Sequence, residues 1–261
     1  MENAMPVGGR LGVIGVWIAA FFGLVAAVFA TDRYVSPGGT DTSPYTNWYT
    51  AAHSIQSAVD ASSDGDVVWV TNGTYAVTSE ILVNKAVTVR SIDLASRPVT
   101  INGGAANRCF YLSDSGALIA GLVITNGYSD EYGGGVEIYD GGTVSNCLIT
   151  GNRVAVDRSD SYGGGGVDCF QNAQVLNCDI VGNTAIGTNS PAGGGVLCQG
   201  AGVVVRQCAI DGNHVISGKS YGLGGGLQRV DTAVGDRCFI GGNSAQGIGG
   251  GVCCDGGVSV S

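Results

Sequence analysis

The sequence predicts an all-β chain, a right-handed parallel β-helix solenoid with a short N-terminal capping helix. Three observations carry that expectation. The chain holds 46 glycines in 261 residues with only 13% charged residues, a composition suited to strands and turns rather than to helices. Gly133-Gly134-Gly135-Val136 recurs as 164–167, 193–196, 224–227 and 249–252. Between these blocks Cys147-Leu148-Ile149-Thr150-Gly151-Asn152 recurs at 178–183, 208–213 and 238–243, with cysteine steps of 31, 30 and 30 residues.

The elements follow in chain order. Leu11 to Ala30 carries no charge, is preceded by Arg10 and ends on Val28-Phe29-Ala30, so residues 1–30 read as a signal peptide cleaved after Ala30. The same stretch is long enough to span a bilayer, and an uncleaved N-terminal anchor is the alternative. Both imply export, and no cysteine that a lipid anchor would need lies near residue 30. Residues 31–65 form the N-terminal cap region. Within them Ala52 to Val59 places apolar residues at helical spacing, which suits a helix lying across the first turn, and His53 is assigned to it.

Residues 66–261 are the solenoid. Each unit has three short apolar bursts, as in Val136-Ile138, Val144 and Cys147-Ile149, bounded by Gly, Asn, Ser or Asp. No burst can bury itself, so successive turns must stack about 4.8 Å apart and pile like residues into ladders. Val136, Val167, Val196, Leu227 and Val252 form one expected ladder. Ser145-Asn146, Leu176-Asn177 and Arg206-Gln207 mark a corner where stacked amides can bond along the axis. Upstream, Ile119, Leu122 and Ile124 take the places of Val144, Cys147 and Ile149, and Val67 to Val70 and Ala86 to Val89 are further strands, for about six turns in all. The sequence stops inside another unit at 254–259, which reads as a piece of a longer protein or an end that pairs with something else.

A net charge of −9, with twelve basic residues that form no cluster, offers no footprint for nucleic acid or for an anionic membrane surface. Membrane contact is expected only through the N-terminal segment or a region beyond residue 261.

Tyr34 to Asp41, the Ile55 to Val59 helix, and Gly65 to Val70 followed by Gly73-Thr74-Tyr75 resemble the opening of secreted bacterial proteins of the pectin-lyase-like superfamily. Cys238 to Ala245 leading into Gly249 to Val252 resembles the polymorphic outer-membrane protein repeat, although phenylalanine is usual where this chain has Cys147, Cys178 and Cys208. The resemblance implies the fold and a secreted, cell-surface or outer-membrane location. It leaves activity open, because the fold hosts lyases, hydrolases, epimerases and non-catalytic adhesins.

Nine cysteines in an exported chain point to disulfides. Their positions argue for buried ladders instead, Cys147, Cys178, Cys208 and Cys238 in one and Cys169, Cys198 and Cys254 in another, with bridging between rungs and a metal site as the alternatives. Cys253 faces outward by alternation and is the expected reactive thiol. Glu137 and Asp168 follow successive glycine blocks and stand one turn apart on the outer face, under loops carrying Asp130, Tyr132, Asp160 and Tyr162. Two carboxylates so placed can bind calcium with Asp130 and Asp160, act as a pair in glycoside cleavage, or form a solvated acidic face. Tyr132 and Tyr162 either stack on sugar rings or anchor glycine-rich loops.

No catalytic residue is assigned from the sequence. Lyases of the resembling fold use a Lys or Arg base beside calcium, and neither Lys85 nor Lys219 aligns near Glu137, while Arg229 points inward by alternation. The first reading is therefore a non-catalytic exported β-helix for adhesion or contact with a polysaccharide or cell-surface glycan. A polysaccharide lyase or glycoside hydrolase, and a structural spacer, are the alternatives. A basic side chain over the Glu137 and Asp168 face would favour the enzyme.

Overall fold

The computed structural model describes residues 30–93, 98–156, 163–219, 221–230 and 234–255. They form a parallel β-helix in which each turn contributes one strand to each of three sheets. The first sheet has eight strands, from Asp32–Val35 and Val67–Val70 through Thr143–Ser145 to Val234–Asp236. The second has seven, from Gly73–Ala76 through Leu148–Thr150 to Phe239–Gly241. The third also has seven, from Ile81–Val83 through Val136–Ile138 to Val252–Asp255, so the stack runs to seven turns rather than six. All named strand pairs are parallel, and Val136, Val167, Val196, Leu227 and Val252 share one register position, as the repeat requires.

Three-residue strands hold because alternation sends Val144, Ile149 and Ile138 into one continuous interior, where each is 0% exposed. The chain turns sharply between strands. At the corner after the first sheet, Asn146, Asn177, Gln207 and Arg237 adopt φ between 52° and 54°, a left-handed conformation in which asparagine is among the better tolerated non-glycine residues. The amide ladder expected there lies elsewhere. Asn146 and Asn177 are exposed, whereas Asn152, Asn183 and Asn213, at the corner after the second sheet, are buried. The side chains of Asn152, Asn183, Asn213 and Asn243 bond along the axis, with each Nδ2 donating to the next Oδ1 at 3.0 Å.

Beyond that corner the loops form a fourth, lateral sheet of five strands, Tyr128–Ser129, Arg153–Val156, Thr184–Gly187, His214–Ser217 and Ser244–Ala245. It has a small core of its own in Val154, Val156, Ala185 and Val215. The glycine blocks explain its close approach, since a side chain at Gly165 would collide with the Gly194 carbonyl and the Thr184 backbone. These strands carry few apolar positions and lie in connections of unequal length, so no periodicity marks them in the sequence.

The capping helix spans Ile55–Asp60 and buries Ile55, Ala58 and Val59. Ser54 caps its N-terminus by accepting from Ser57 N at 3.1 Å. His53 therefore precedes the helix instead of belonging to it, with Nε2 at 2.8 Å from the Gly39 carbonyl oxygen. Lys85 Nζ donates to the Val59, Asp60 and Ser62 carbonyls at 2.9–3.1 Å, satisfying the C-terminal end. Lys85→Ala is expected to cost about 1–2 kcal/mol, because one partly buried cation serves several carbonyls. A thermal melt reads this directly, and an unchanged midpoint would remove Lys85 from the account of the cap.

All nine cysteines are free thiols. Cys147, Cys178 and Cys208 are buried, and their sulfurs lie 3.2–3.7 Å from backbone carbonyl oxygens, so they serve as small core residues. The second expected ladder is interrupted: Arg229, inward and 2% exposed, stands between Cys198 and Cys254 in the register. Cys253 occupies the outward file but is only 8% exposed, so it is not the open thiol that alternation alone suggests.

Candidate functional site

The outward file of the third sheet passes through Tyr111, Glu137, Asp168, Leu197 and Gln228 on consecutive turns. Register places Glu137 beside Asp168 as the sequence implies, but the face is not open. Glu137 is 5% exposed and Asp168 0%. Each carboxyl is covered by a side chain from a neighbouring turn. Gln199 Nε2 lies 3.1 Å from both carboxyl oxygens of Asp168, and Arg108 Nη2 lies 2.8 Å from Glu137 Oε2.

Arg108 is the centre of the arrangement. Its Nη1 pairs with Glu80, its Nε donates to the Tyr132 and Gly133 carbonyls at 3.1 and 3.0 Å, and its Nη2 also reaches Ser129 Oγ at 3.2 Å. The guanidinium carbon lies 5.7 Å from the centroid of the Tyr111 ring. A cleft of about 470 Å³ opens over this group, lined by Glu80, Arg108, Tyr128, Ser129, Asp130 and Glu131. Aromatic rings lead away from it in a chain, Tyr111 to Tyr139 at 6.2 Å, Tyr139 to Phe170 at 5.6 Å and Phe170 to Tyr132 at 5.5 Å. Tyr139 is the exposed member of that chain.

Burial sets the electrostatics. The Glu137 carboxyl is held above its ordinary pKa chiefly by loss of solvent; Arg108 pulls it down, and the charges of Glu80 and Glu131 push it further up. Asp168 is pushed up to about 8, again chiefly by burial, with the Gln199 hydrogen bond opposing and the Glu137 charge adding. Burial thus favours the protonated form of Asp168. The cleft presents the Arg108 guanidinium and a Glu80 whose side chain is 40% exposed, with Glu137 buried beneath them on the same guanidinium.

This geometry lends no support to calcium on Glu137, Asp168, Asp130 and Asp160. Glu137 pairs with Arg108, and both carboxyl oxygens of the buried Asp168 take Gln199 Nε2. Among the described residues no three His, Cys, Asp or Glu side chains converge to hold a metal. Asp160 and Tyr162 lie outside the described residues. Asp130 joins the Arg108 cleft instead, and the ring of Tyr132 packs edge-on against Phe170 while its carbonyl anchors Arg108.

Sequence reasoning missed Arg108 and Glu80. A signal was present: the register Phe110 to Val136 puts Arg108 where later turns carry Gly134, Gly165, Gly194, Gly225 and Gly250. A long cation thus replaces glycine at the turn just before Glu137, and the repeat template, being built on the later turns, passed over it.

Comparison with known proteins places the fold. No family model matches the chain. A stretch of 71 residues is 41% identical to the pectate lyase PEL9 of Emericella nidulans, covering 27% of this chain and 17% of that protein. A solved rhamnogalacturonan lyase superposes with a TM-score of 0.54 at 16% identity, covering 88% of this chain and 62% of the other. A crystal structure of pectate lyase Pel9A gives 0.51 at 18%, covering 84% and 64%. The chain spans less than a fifth of the curated relative and under two thirds of each solved structure. At these identities the structural likeness establishes the parallel β-helix fold and nothing finer. Among the described residues no helix is long and apolar enough to cross a membrane.

Proposed function

We propose that this chain is an exported, polysaccharide-acting protein that cleaves glycosidic bonds in the cleft over Arg108. The carrying observation is the guanidinium of Arg108 set between Glu80 and Glu137. This is the basic residue whose presence favours an enzyme over a scaffold. Glu137, desolvated and retaining its proton to higher pH than an ordinary carboxyl, supplies the acid for a leaving oxygen. Glu80, more exposed, supplies the base, and Arg108 holds the two at separate nitrogens. The excess of carboxylates in the cleft supports acid–base cleavage over proton abstraction by a cationic base. The names of the matched proteins, pectate lyase and rhamnogalacturonan lyase, make pectic polymers the first substrates to test. The apolar stretch from Leu11 to Ala30 supports export. A non-catalytic glycan contact is the second reading, favoured by the Tyr111, Tyr139 and Phe170 rings beside the cleft.

The test is incubation of the full chain with polygalacturonate, rhamnogalacturonan and galactan, with and without added calcium, following both reducing ends and ultraviolet absorbance. New reducing ends without absorbance, lost about 100-fold or more in Glu137→Gln, are expected. Absorbing unsaturated products would replace hydrolysis by elimination. Retention on the polymers with no product of either kind would leave the non-catalytic reading, and neither retention nor product would remove the polysaccharide proposal.

A further inference from the structure

We propose that the outer face of the first three strands of the first sheet is a second glycan-binding surface, which takes a neutral pyranose polymer lying along the solenoid axis. Tyr34, Trp69 and Arg90 share one register position on the successive strands Asp32–Val35, Val67–Val70 and Thr88–Ser91, and all three side chains are partly exposed. Trp48, 37% exposed, packs edge-on to Tyr34 with ring centroids 4.4 Å apart at 71°. The Arg90 guanidinium lies 4.9 Å from the centroid of Trp69. Large aromatic rings in an outward file contribute nothing to the solenoid core, and a row of them beside polar tips is the surface on which the apolar face of a sugar ring stacks.

The polar groups beside the rings specify the ligand further. Trp69 Nε1 donates to Asp32 Oδ1 at 3.0 Å and Tyr34 Oη to Asp32 Oδ2 at 3.4 Å, which fixes a carboxylate at the edge of the platform. On the other side, Arg90 makes no hydrogen bond among the described residues, and its buried Nε lacks a partner. One fixed acceptor at Asp32 and the outer end of the partly exposed Arg90 guanidinium suit the neighbouring hydroxyls of an uncharged sugar. A uronate would meet the Asp32 charge. The file continues into Ala120 and Ser145, short side chains that leave the next rungs flat, and rungs about 4.8 Å apart match the advance of a glycan chain by one pyranose per turn. This surface is on a different sheet from the Arg108 cleft and does not depend on that cleft being catalytic.

The experiment uses the full chain in native gels containing hydroxyethyl cellulose, β-1,4-galactan or polygalacturonate, together with tryptophan fluorescence titrations, since two of the three tryptophans belong to the patch. Retardation by a neutral polymer with a fluorescence change is expected, weakened about tenfold or more in Trp48→Ala and Trp69→Ala and kept in Arg108→Ala. Thermal melts accompany each variant, and Trp48→Ala and Arg90→Gln carry the test if Trp69→Ala fails to fold. Binding of neither neutral polymer, binding indifferent to Trp48 and Arg90, or retardation by polygalacturonate alone would overturn the proposal.

Discussion

Asn183→Ala is expected to destabilise the solenoid by about 3–5 kcal/mol, enough to consume a large share of a typical domain's margin. Its Oδ1 accepts from the Asn152 backbone N–H and from Asn152 Nδ2, both at 3.0 Å, and its Nδ2 donates to Ile149 O and to Asn213 Oδ1 at 2.9 and 3.0 Å. Alanine would leave the Asn152 N–H buried without an acceptor, strip the Ile149 carbonyl of its side-chain donor, and open a void against Gly166. Asn146→Ala is the matched control. Asn146 is exposed and, among the described residues, its side chain bonds the adjacent Ser145 Oγ alone, so its left-handed backbone is what resists alanine, at about 1–2 kcal/mol. Chemical unfolding midpoints of the two variants decide the matter. A loss at Asn146 equal to that at Asn183 would mean that the ladder is not what holds the turns in register.

Asp168→Asn is expected to leave stability nearly unchanged near pH 4 and to raise it at pH 7–8. An aspartate titrates near 3.8 in the unfolded chain and near 8 in this site. Below 3.8 both states hold the proton and the burial carries no electrostatic cost. Between 3.8 and 8 the folded state keeps a proton that the unfolded state releases, so stability declines by up to about 1.4 kcal/mol per pH unit, levelling off above 8. Asparagine keeps an acceptor for Gln199 and removes the titration. Melting temperatures of both proteins from pH 4 to pH 8.5 measure it as a gap that widens with pH. A gap constant across that range would place Asp168's ionisation outside the window.

The sequence by itself determined the solenoid. A thirty-residue repeat with three apolar bursts admits one economical burial, the stacking of turns into shared ladders, and the observed registers at Val136, Val144 and Ile149 are those the repeat dictates. It also placed Glu137 beside Asp168, because register follows from spacing. Which side chains cover that pair was decided only by tertiary structure. Arg108 and Gln199 come from other turns and sit outside the motif that made Glu137 and Asp168 visible, yet they turn an expected open acidic face into a buried acid beside an ion-paired one. The lateral sheet was hidden for the same reason, since its strands lie in the unequal connections where periodicity carries no information. Inward positions are constrained locally by alternation, whereas the chemistry of an outward position depends on which distant segment the fold lays over it.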